Sequence, residues 1–173
     1  MRNLPLCIMS AIILLSSCQK HPSTIKFPEG LEELEIGENS KKLCIDCPKK
    51  FVGYLDLTQR DLFFLKMNSK GWKDLIVDYP ELEVIWVFAG QSEHIEKTEL
   101  VRLLEEMGYP YSVIYDKENK FFELNQLDKI PYEVKAIQSY FVDGDDVIID
   151  AEPGIPNLFR KQVIEFLELE ERE

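Results

Sequence analysis

Histidine is almost missing from this chain: His21 and His94 are the only two in 173 residues. Neither stands at ligand spacing from Cys44 or Cys47, so a cysteine–histidine metal centre has little to build on there. Positive charge is scarce too. Lys and Arg number 20 against 32 Asp and Glu, a formal net charge of -12. A surface of that sign repels polyanions and argues against nucleic acid as a partner. Long apolar runs are also lacking. The most apolar stretch near the start, residues 4–15, falls short of the roughly 20 residues that cross a bilayer as a helix. The acidic cluster Asp143, Asp145, Asp146 and Asp150 lacks the spacing and closing Glu of an EF-hand loop, which leaves a polar turn. No cofactor is expected from any of these patterns.

What is present is a substantial core. With 45% hydrophobic and 30% charged residues, the length fits one globular domain with a terminal appendage. The organising stretch is residues 49–90, where FVGYLDL and LEVIWVFAG flank a segment long enough for a crossover helix. Neither apolar run alternates cleanly with polar residues, the mark of strands covered on both faces. Between them Leu62, Leu65, Trp72, Leu75, Ile76 and Tyr79 recur at three- and four-residue intervals, predicting a helix, irregular near residues 68–71 and stopped by Pro80. Asp61 stands where it would cap that helix.

Further on, Leu100, Leu103, Leu104 and Met107 predict a second helix, closed by Gly108 and Pro110 and with His94 at its start. YSVIY at residues 111–115 reads as a third strand, and residues 121–127 as a short helix or ordered loop. SYFVDGDDVIID reads as a hairpin turning at Asp143-Gly144-Asp145, and a last helix begins at Pro156.

The first residues stand apart. Arg2 and the apolar residues 4–15 have the layout of an export signal, ended by Ser16, Ser17 and Cys18. The run LSSC resembles the lipobox of bacterial lipoproteins. That resemblance implies cleavage after residue 17, a lipid on Cys18 and a partner in the membrane itself. Residues 18–40, polar and containing Pro22, Pro28, Gly30 and Gly37, would be the tether, with the domain over residues 41–173. Gln19 after Cys18 leans toward the outer membrane of a bacterial envelope. With Cys7 in the signal and Cys18 lipidated, the domain keeps Cys44 and Cys47, spaced Cys44-Ile45-Asp46-Cys47. Such neighbours in an oxidising compartment would form a local disulfide. The spacing reads first as a structural bridge, second as a redox dithiol and, least of the three, as half of a metal site. Lys49 and Lys50 would depress a nearby thiol, but no helix start is placed to help.

The order β-α-β, α-β, β-hairpin, α is that of the thioredoxin fold, and FVDGDDVII looks like its late hairpin. Over about residues 49–169 the chain resembles thioredoxin-like lipoproteins of Bacteroidetes envelopes. That implies an α/β three-layer sandwich, a central mixed sheet flanked by helices. The family's redox motif opens the helix after the first strand of the β-α-β unit. The matching positions hold Thr58, Gln59, Arg60 and Asp61, none able to form a mixed disulfide. The family's cis-proline before the hairpin is matched by Ala136-Ile137-Gln138. These departures lead to the expectation of a non-catalytic domain with a degenerate redox site, binding or assembling with an envelope protein. The alternative is a thiol-disulfide oxidoreductase that uses the displaced pair Cys44 and Cys47.

Overall fold

The computed structural model describes residues 21–60, 62–93, 95–131 and 135–168. The signal segment 1–17, Cys18, Asp61 and His94 lie outside the described residues. At the centre is β2 (Lys49–Asp56), whose eight residues are all buried. On one side β2 runs parallel to β3 (Glu83–Ala89), in register from Lys50↔Glu83 to Asp56↔Ala89. On the other it runs antiparallel to β5 (Ile137–Asp143), from Lys49↔Asp143 to Leu55↔Ile137. Outward from β3 come β4 (Val113–Asp116), parallel, and β1 (Glu32–Leu34), antiparallel to β4. Outward from β5 comes β6 (Asp146–Asp150), turning at Gly144 with φ 58°. The sheet order is β1-β4-β3-β2-β5-β6, so both neighbours of β2 are themselves interior strands. That is why its sequence shows no polar alternation.

Each face of the sheet has its own core. One face carries Phe51, Leu55, Val84, Trp86, Phe88 and Phe141 beneath α2 (Ser69–Asp78), α3 (Lys97–Glu106) and α5 (Pro156–Glu168). The opposite face carries Val52, Tyr54, Ile85, Val87, Tyr140 and Val142. It is covered by α4 (Lys120–Leu124), by a 3₁₀ turn at Leu127–Lys129, and by Ile25, Phe27 and Leu31 of an N-terminal arm. This is the thioredoxin-like three-layer sandwich, a mixed sheet between helices.

Two local features depart from the sequence reading. The crossover helix starts late, as α1 (Phe63–Met67), and restarts as α2 after a break at the buried Asn68. The irregularity falls where residues 68–71 place it. The expected tether is corrected over its described part. Ile25, Leu34 and Ile36 are buried, Thr24 bridges to Asp146, and β1 pairs with β4, so the arm belongs to the domain. The place matched to a cis-proline is trans, and the Ala136 carbonyl accepts a hydrogen bond from the Asp56 amide at 2.8 Å.

Gly53 sits opposite Trp86, and a Cβ built on it would stand 2.5 Å from the indole ring. Only a residue without a side chain lets Trp86 lie across the central strand. Gly53→Ala therefore overpacks the core and should lower stability by about 1–3 kcal/mol, read as a fall in the urea midpoint. An unchanged midpoint would show that the indole has room to move aside.

Candidate functional site

The carboxyl ends of β2, β3 and β4 lie together, the usual place for chemistry in a parallel sheet. Here that end is occupied by its own hydrogen bonds. Asp56 is buried, and its Oδ1 accepts from the Thr58 amide at 2.9 Å and the Thr58 hydroxyl at 2.6 Å. Its Oδ2 accepts from Gln59 Nε2 at 2.5 Å, and its carbonyl receives the amides of Gln59 and Arg60. Thr58, Gln59 and Arg60 are thus wound into a turn on the carboxylate of the preceding strand, which is why α1 begins only at Phe63. Nearby, Asp116 accepts from the Phe121 amide at 2.7 Å, and the Tyr54 hydroxyl donates to Asn119 at 2.9 Å. Burial, reinforced by the Asp56 carboxylate, pushes the Tyr54 phenol far above its ordinary range.

The thiols stand at the opposite end. Cys44 and Cys47 form a disulfide with S–S 2.01 Å and Cα–Cα 5.3 Å on the loop that enters β2. An eight-residue strand is about 25 Å long, which separates this loop from the Thr58 turn. Both cysteines are half-buried, whereas Ile45 and Asp46 between them are exposed. The Cys47 amide donates to the Cys44 carbonyl at 3.2 Å, closing the turn.

Four parts of the fold hold the loop. From β1, Glu33 Oε1 accepts the Leu43 amide at 3.1 Å. From the start of β3, Glu83 Oε1 accepts the Cys44 amide at 3.0 Å, and Glu83 Oε2 pairs with Lys41 at 2.9 Å. From β2 itself, Lys50 Nζ donates to the Ile45 carbonyl at 3.0 Å. The Gly144 amide of the hairpin donates to Pro48 O at 2.8 Å. Glu83 and Lys50 are each 2% exposed, so charged groups with almost no water around them sit against the dithiol turn. Burial lowers the Lys50 pKa, opposed by the carboxylates of Asp145, Asp46 and Asp143. Behind Glu83, burial raises the phenols of Tyr109 and Tyr111, and the Glu83 carboxylate adds to both.

The structure sorts the two lysines that precede FVGYLDL. Lys49 turns to Asp143 at 2.9 Å and lies 4.9 Å from the Phe166 ring centroid, while Lys50 reaches the cysteine loop. Glu83 was invisible as a site residue from sequence. Its one signal is that it heads a wholly apolar strand, a poor place for a carboxylate without a partner.

No family model and no curated protein matches the chain. Among solved structures it is similar to a thioredoxin-like protein in its oxidised form, with TM-score 0.57 and 13% identity over 86% of this chain and 95% of that one. It is also similar to the thioredoxin domain of a thiol-disulfide oxidoreductase from Bacteroides vulgatus, with TM-score 0.53 and 8% identity over 70% and 81% of the two chains. A Chlorobium tepidum chain described as a candidate thiol:disulfide interchange protein DsbE gives TM-score 0.51 and 9% identity over 71% and 82%. Likeness at such identities concerns the fold.

The expectation of a degenerate, non-catalytic domain is corrected here. The cysteine pair is closed as a CxxC disulfide within a thioredoxin-like fold, so the dithiol motif is intact and the alternative reading through Cys44 and Cys47 is the better one. What is unusual is its place at the amino end of the central strand. If the two ends work separately, Asp56→Ala should release the Thr58 turn and cost about 2 kcal/mol. In the same variant the rate at which dithiothreitol reduces Cys44–Cys47 should stay at the wild-type value. Urea denaturation and thiol titration measure the two effects, and a changed reduction rate would show that the ends are coupled.

Proposed function

We propose that this chain is a thiol-disulfide oxidoreductase whose redox couple is Cys44–Cys47. The observation that carries the reading is a closed CxxC disulfide on a half-exposed loop, bonded through its backbone to a buried ammonium and a buried carboxylate. A rigid strand end behind a solvent-reachable disulfide is a suitable platform for exchange with a second protein's thiols.

The reaction is two successive displacements. A thiolate of a substrate dithiol attacks one sulfur of the Cys44–Cys47 bond, which breaks as the mixed disulfide forms, and the other cysteine leaves as a thiolate. The substrate's second thiolate then attacks the mixed disulfide. The substrate departs as a disulfide and the loop is left as a dithiol, so two electrons and two protons have passed to the loop. The reverse sequence reduces a substrate disulfide. In either direction the co-reactant is a protein dithiol or disulfide.

The place of action is the cell envelope, with the domain held to the outer membrane by a lipid on Cys18. What supports this is the signal-like run of residues 4–15 followed by LSSC. Oxidising conditions there would suit a protein that cycles a disulfide.

The test is equilibration of the protein in glutathione redox buffers, together with its thiol-coupled turnover of an aromatic disulfide reagent or insulin. A reversible two-electron transition is expected, with turnover lost in both Cys44→Ser and Cys47→Ser. A disulfide that dithiothreitol cannot open in the folded protein, with no turnover, would sink the proposal.

A further inference from the structure

Lys50 and Glu83 are register partners on adjacent parallel strands, oppositely charged and each 2% exposed. Side chains so placed would be expected to pair with each other. They do not: Glu83 divides its oxygens between Lys41 and the Cys44 amide, and Lys50 turns to the Ile45 carbonyl. Both buried charges are directed at the same four-residue turn.

Their situations differ. The carboxylate is answered by a cation, Lys41 at 2.9 Å. The ammonium can donate three hydrogen bonds, and among the described residues the Ile45 carbonyl is its one acceptor. The negative charges of Asp145 at the hairpin, Asp46 in the turn and Asp143 act on Lys50 through space, without an ion pair to it. Asp143 is occupied by Lys49. A buried cation with spare donors beside a disulfide lacks a counter-charge in direct contact in the oxidised protein, and a thiolate would supply one when the disulfide opens.

We infer that Lys50 is the positioning residue that stabilises the thiolate released when the Cys44–Cys47 bond is reduced. This rests on the redox reading above and gives it its electrostatic element. When two electrons enter the S–S bond, one sulfur takes a proton as a thiol. The other remains a thiolate against the Lys50 ammonium, in place of the helix N-terminus that this loop lacks. Lys41, Lys49 and Glu83, together with Glu33, which accepts the Leu43 amide, and the Lys42–Glu35 pair, are further charged groups on the elements packed around the turn. Lys41 and Glu83 answer each other and Lys49 answers Asp143, which leaves Lys50 as the group free to respond.

The experiment is the pH profile of iodoacetamide alkylation of the reduced full chain, read at Cys44 and Cys47 by peptide mass spectrometry. Lys50→Met, close in shape and uncharged, should move the midpoint of the more acidic of these two thiols up by about one pH unit. That is about a tenfold loss of alkylation rate near neutrality. Lys50→Arg should keep the wild-type profile. Lys50→Gln, which retains a donor for the Ile45 carbonyl without the charge, should behave like Lys50→Met. It also carries the test if the methionine variant fails to fold. Profiles of the uncharged variants coinciding with wild type would overturn the inference, as would rescue by glutamine. Turnover failing in wild type while the profiles still separate would count against the oxidoreductase reading and leave the Lys50 assignment standing.

Discussion

The fit of one indole over one glycine governs how this sheet is assembled. Trp86 occupies the space above Gly53 that any side chain would fill, and from there it meets Phe51 at 5.4 Å and Trp72 at 6.0 Å between ring centroids. Phe51 in turn touches Phe141 and Phe159, and Phe159 touches Trp72. Three strands and two helices are thus joined through one aromatic cluster, in edge-on and tilted contacts that rings favour. A shift of β3 by one residue against β2 would place Trp86 over a side chain and turn every residue of the strand to the other face. Register on β2 fixes what stands at either of its ends.

Those ends have taken opposite courses. At the carboxyl end, where a parallel sheet usually presents its chemistry, Asp56 satisfies itself with Thr58 and Gln59 and delays the helix. At the amino end, register places Lys50 beside Glu83 and both against the cysteine turn. The thioredoxin-like scaffold is retained while its thiols stand at the other pole of the central strand. Charged side chains there replace what a helix start provides elsewhere, a positive field close to sulfur.

Much of the scaffold was legible because its signals are local. The doubly buried runs of β2 and β3, the break near Asn68 and the turn at Gly144 each depend on a few adjacent residues. The arm and β1 were not legible. Ile25, Phe27, Leu31 and Leu34 are spaced among polar residues, and the arm's pairing partners, Tyr115 for Glu32 and Asp146 for Thr24, are about 80 and 120 positions away. The site was half legible. The cysteine spacing and neighbouring lysines could be read directly, but the pair was discounted because no helix start follows it. The buried carboxylate and ammonium that compensate come together only through pairing of residues 50 and 83.

The N-terminal arm crosses the sheet from rim to rim. Ser23 and Ile25 bond to the turn and strand at the β6 side, and Glu32 to Leu34 pair with β4 at the other. The cysteine turn follows directly after. The arm's anchors lie in the second half of the chain, at residues 113–115 and 145–147, so during synthesis it must wait unpaired until they emerge. The cysteine turn beyond it is likewise completed only when the Gly144 amide, about a hundred residues on, reaches the Pro48 carbonyl.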